Sequence, residues 1–122
     1  MKALYWTCIA VLLPLLGLAS GCRSYHVDAT VENRTGGAIQ LLEVDYPHAS
    51  FGVDVLASGG DYHYRFQIQG SGPVKVQYTE SGTQMVRQMD GPTVHQDQEG
   101  QLEIVLLPNG TAKFHTQLNP DR

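Results

Sequence analysis

The side chains of this chain that could do chemistry are its five histidines, its twelve acids, its serines and one tyrosine-rich stretch. None of His26, His48, His63, His95 and His115 falls in an H-x-H or H-E-x-x-H spacing. His95-x-Asp97-x-Glu99 is the one run with three ligand types, and on a strand that i, i+2, i+4 spacing would offer zinc or copper one face. The segment from Thr93 to Gly100 has no apolar face, so it reads as a solvated loop and no metal or other cofactor is expected there. Ser58, Ser71 and Ser81 sit in glycine-containing turns, where serine serves turn formation, and there is no G-x-S-x-G elbow. No catalytic residue is expected. Glu43 and Asp45 stand apart from the other acids because they lie in the most apolar strand-like segment. With Tyr46 and His48 they form the densest polar and aromatic cluster, which reads either as a binding site at a strand end or as a strand running out to the surface at Pro47. Tyr62, Tyr64 and Phe66 share one phase of a strand, which suits a ligand platform or, more commonly, a core edge with the tyrosine hydroxyls at the rim.

The elements that must position these groups are strands. From Tyr25 onward the apolar period is two, as half-buried strands require. Tyr25, Val27, Ala29 and Val31 oppose polar neighbours, and Asn33-Arg34-Thr35-Gly36-Gly37 is a turn cluster. Ile39 to Tyr46 reads as a strand with a phase change at Leu41-Leu42, the mark of a bulge or of burial on both faces. Phe51, Val53 and Val55 form a third set, and Tyr62 to Ile68 a fourth. Val74, Val76 and Tyr78 follow. Gln84 to Met89 is a weaker strand, with Met85 and Met89 or Val86 facing in, and Gly91 to Gly100 reads as loop. Leu102 to Leu106 and Ala112 to Leu118 flank the tight-turn signal Pro108-Asn109-Gly110. About seven or eight short strands with regular turns predict an all-β antiparallel sandwich over 25–119, immunoglobulin-like in architecture only because the cysteine and tryptophan hallmarks are missing. A small closed barrel is the alternative.

The chain has 122 residues, 42% apolar and 16% charged, which suits one folded domain. From Cys22 onward it carries seven basic and twelve acidic side chains. An acidic domain is a poor partner for a polyanion, so no nucleic acid is expected.

Residues 1–21 are different in kind. Lys2 precedes an apolar run from Ala3 to Leu18 and the small residues Ala19, Ser20 and Gly21, in the order of a secretory signal. Leu18-Ala19-Ser20-Gly21-Cys22 resembles the bacterial lipobox, with Ala19 where that family usually has Leu. The resemblance implies cleavage before Cys22, lipid on its sulfur, acylation of its new amino group, and residues 22–24 as a short tether to the membrane. Arg23 stands where Asp would favour inner-membrane retention, so the resemblance leans toward the outer membrane. Val31-Glu32-Asn33-Arg34-Thr35-Gly36, the apolar strand after it and the aromatic strand after Gly59-Gly60 look like small bacterial lipoproteins with a β-sandwich body. That likeness implies a location and a fold, with no catalytic residue to carry over. The expected function is a non-enzymatic envelope module meeting a protein partner. The alternative is a small-ligand or metal binder outside the cytoplasm.

Overall fold

The structure, a computed structural model, describes residues 25–120. The expectations on the signal segment, Cys22 and Arg23 lie outside the described residues. Eight strands form: β1 (Val27–Asn33), β2 (Ile39–Tyr46), β3 (Ala49–Leu56), β4 (Asp61–Phe66), β5 (Gly72–Glu80), β6 (Val86–Val94), β7 (Glu99–Leu107) and β8 (Thr111–Asn119). They make two four-stranded sheets, β4-β1-β7-β8 and β3-β2-β5-β6. The inward phases of both sheets meet in one core that includes Val27, Val31, Val44, Val76, Leu102 and Ile104, so the sandwich is the architecture that buries the alternating apolar residues. Every pairing is antiparallel except β1 with β7, which run parallel. Hairpins join β2 to β3, β5 to β6 and β7 to β8, and the other four connections cross between sheets. The strand order differs from the ABED/CFG layout of immunoglobulin domains, so the likeness is one of layers.

Three local expectations change. The alternation Phe51, Val53, Val55 breaks at its end: Val55 faces solvent and Leu56 turns inward opposite Ile39. The cause lies across the ladder, where β2 bulges between Gln40 and Glu43 and Leu41 adopts φ 53°. A β-carbon on Gly52 would collide with the Leu42 carbonyl oxygen, so glycine there is what lets β3 lie against the bulge. In β6, Met89 packs inward, whereas Val86 and the preceding Met85 are exposed. The supposed loop from Gly91 to Gly100 is mostly strand, because Val94 is a fully buried anchor that periodicity around Gly91 and Pro92 conceals.

Asn33 holds the pole where β1 ends. Its Nδ2 donates to the carbonyl oxygens of Gly37, Leu56 and Ala57 at 2.9, 3.1 and 3.1 Å. Its Oδ1 accepts from the Thr35 amide and hydroxyl at 3.1 and 2.7 Å. One buried amide thus ties together two crossings between the sheets, β1 to β2 and β3 to β4. The opposite pole carries Tyr25, the turns at Pro47-His48 and His95–Gln98, the loop 67–71 and Pro120. Gln98 pins it, accepting from the His95 amide at 2.8 Å and donating to the Pro120 carbonyl at 2.8 Å.

Candidate functional site

The alternation of β2 divides the cluster that the sequence brings together. Val44 is buried and Tyr46 packs against the core, whereas Glu43 and Asp45 point out of the opposite face. Tyr46, Tyr62 and Tyr64 do converge. They form an aromatic seam with Phe51 and Phe66 along the side of the sandwich where the edge strands β3 and β4 meet. Tyr46 lies 4.2 Å from Phe66 between ring centroids, and Tyr64 stacks on Phe51 at 4.7 Å. Phe66 is only 5% exposed, so the seam belongs to the core with tyrosines at its rim. Burial, and then the neighbouring Tyr64, push the Tyr46 hydroxyl above the usual tyrosine range. His48 sits in the β2–β3 turn with φ 69°, its ring against Gly70, remote in role from the carboxylates.

His95, Asp97 and Glu99 do not make a ligand set. His95 to Gln98 is a turn with Asp97 at φ 62°, which removes the strand spacing that would have aligned them. Among the described residues no group of three His, Cys, Asp or Glu side chains could hold a metal ion. His63 accepts or donates through Nδ1 to the Thr30 hydroxyl at 3.1 Å on the outer face of the first sheet.

The outer face of the second sheet is where Glu43 and Asp45 lie, and its register is legible row by row. Ser50, Asp45, Lys75 and Asp90 form one row across the four strands. Gly52, Glu43, Gln77 and Gln88 form the next, with Gln88 donating to Gln77 at 2.9 Å. Val55, Gln40, Thr79 and Val86 form the row nearest the Asn33 pole. Two open hollows of about 420 and 450 Å³ lie over this face and share Gln77. Their charged linings are Asp45, Lys75 and Asp90 in one and Glu43 and Asp54 in the other, so four carboxylates surround one ammonium. None of the five lies within ion-pair distance of an opposite charge among the described residues. The first sheet is different: Asp28 faces Arg65 at 3.6 Å and Glu32 meets Arg34 at 3.0 Å.

The apolar end of the face was not legible in the sequence. Leu41 is 63% exposed, Val55 61% and Val86 56%, and Met85 joins them at the start of β6. The doublet Leu41-Leu42 signalled a bulge, but period alone does not say which leucine the bulge expels.

No protein-family model matches the chain, and no curated protein matches it in sequence. Among solved structures it is similar to the NMR structure of a protein from Eubacterium rectale, with a TM-score of 0.56 and 13% identity over 83% of this chain and 100% of the other. At that identity the likeness is one of fold alone.

Proposed function

We propose that the chain is exported, cut before Cys22 and held to a bacterial envelope membrane by lipid on that residue, its sandwich acting as a non-enzymatic interaction module. The observation that carries this reading is Leu18-Ala19-Ser20-Gly21-Cys22 after an apolar run and four residues ahead of the first strand. Two acyl chains suffice for stable anchoring, at roughly 0.8 kcal/mol per buried CH₂. The short tether bears on orientation. Two residues, Arg23 and Ser24, separate Cys22 from Tyr25, so three chain steps give a reach of roughly 10 Å. That holds the pole of Tyr25 and His48 at the bilayer and directs the Asn33 pole away from it. Arg23 after the cysteine favours the outer membrane where the organism has one. The unpaired charges and exposed apolar side chains of the second sheet supply a surface suited to a protein partner.

The experiment is replacement of the anchoring residue. Expressed from its own signal in a bacterial host, the wild-type chain partitions into the membrane fraction and is extracted by detergent. Cys22→Ser accumulates as uncut precursor or appears in the soluble envelope fraction. A Cys22→Ser chain that is cut and membrane-bound like the wild type would refute the anchor.

A further inference from the structure

We propose that the outer face of the β3-β2-β5-β6 sheet docks a basic polypeptide segment of another protein, with Leu41 as its apolar anchor. This rests on the reading of the sandwich as an interaction module, and not on the lipid.

Leu41 is the first reason. Its φ of 53° is a left-handed conformation that costs a bulky residue energy and suits glycine or asparagine. In bulges of this kind glycine is the usual occupant. Here a leucine takes the position and is 63% exposed, so the strain is not repaid by core packing. Bulges re-aim side chains, and this one aims an apolar side chain into solvent next along β2 from the Gln40–Val55 pair. Gly52 clears the neighbouring ground, leaving the hollow shared by Leu41, Glu43 and Asp54.

Charge identifies the occupant. Glu43, Asp45, Asp54 and Asp90 outnumber Lys75 on this face, and none of them has an ion-pair partner among the described residues. A partner carrying Lys or Arg beside one or two apolar side chains complements both features. A second copy would bring the same excess of carboxylates against itself. The bilayer is an unsuitable occupant too, because the same carboxylates would face the negative surface of anionic lipid headgroups.

The test uses the full chain in zwitterionic detergent and a synthetic peptide of about eight residues alternating lysine and leucine, a strand's length. A peptide with glutamate for lysine is the control. Amide shifts on addition of the lysine peptide should fall on the outward positions of β2, β3, β5 and β6, and weaken as salt rises. Leu41→Gly should weaken binding at least tenfold without lowering the melting temperature, because it removes the anchor and relieves the backbone together. Leu41→Asn, which also tolerates the left-handed region, should do the same. Combined Glu43→Gln, Asp45→Asn and Asp90→Asn should weaken binding tenfold or more. Shifts on the first sheet or at the Tyr25 pole, equal binding of the glutamate peptide, or unchanged binding by both Leu41 variants would overturn the proposal. So would a wild-type dimer in sedimentation that Leu41→Gly dissolves, which would make a second copy the occupant. Absence of binding at millimolar peptide would also overturn it. Repeating the titration with Cys22→Ser separates the two readings, since the face should bind whether or not the lipid is present.

Discussion

Replacing Asn33 by alanine should cost about 3–5 kcal/mol of stability, although the side chain is polar in a core of apolar residues. Its amide donates toward three carbonyl oxygens and accepts twice from Thr35, all at 2.7–3.1 Å. The two N–H groups share three acceptors, so four full hydrogen bonds are a fair count, each worth about 1 kcal/mol net. The Leu56 carbonyl is buried and would lose this partner where water cannot replace it, so its bond stands at the upper end of that scale. The Gly37 and Ala57 carbonyls are nearer the surface and recover some of their loss from solvent. The sum is a large share of the roughly 5–15 kcal/mol that holds a domain. Asn33→Asp sharpens the test, because it keeps the shape but turns the donor into an acceptor facing three carbonyls. An ionised carboxylate there is disfavoured, so its folded pKa lies above the unfolded value. The penalty relative to wild type is therefore largest at neutral pH and shrinks as the pH falls and the carboxyl regains a proton to donate. Urea melts followed by far-ultraviolet circular dichroism at two pH values measure both effects. An Asn33→Ala chain within about 1 kcal/mol of wild type, or an Asn33→Asp penalty that does not change with pH, would refute the role given to this residue.

Phe66→Ala should cost about 3–5 kcal/mol, because the ring is buried between the sheets and packs on Tyr46 and Phe51; a near-neutral urea melt would reopen the seam as a ligand platform. Glu80→Gln should abolish part of the acid sensitivity of the fold. Hydrogen bonds from Arg87 and Thr83 hold the Glu80 carboxyl below its usual range, so its contribution is present above the ordinary carboxylate pKa and is lost as the pH falls through the lowered folded value. Thermal melts between neutrality and about pH 3 would show a smaller loss in the variant than in wild type; equal losses would contradict the pairing.

Most of the fold was legible because it is written in a period of two. Val27, Ala29 and Val31, or Val74, Val76 and Tyr78, alternate without interruption and are buried as their phase demands. Legibility failed where the period slips. The bulge at Leu41 shifts β2, the partner strand responds at Val55, and two apolar residues reach solvent although their spacing had placed Val55 inside. Gly91 and Pro92 hide the continuation of β6, because turn-forming residue types precede the buried Val94 that extends it. The candidate cluster from Glu43 to His48 is divided by the fold. Adjacent strand residues face opposite ways, so Glu43 and Asp45 were parted from Tyr46, and their true neighbours, Lys75, Gln77 and Asp90, come from strands thirty or more residues distant. Asn33 read as one member of a turn cluster, since nothing in a sequence tells a capping asparagine from one that joins two crossings.

The anchored interaction module is tested most directly by the intact mass of the mature protein purified from a bacterial membrane. The expected mass corresponds to a chain beginning at Cys22, without Trp6, and increased by a diacylglyceryl group on the sulfur with or without a further acyl chain on the amino group. A mature chain with a free thiol at Cys22, or one that still contains residues 1–21, would contradict the reading from which the orientation of the sandwich follows.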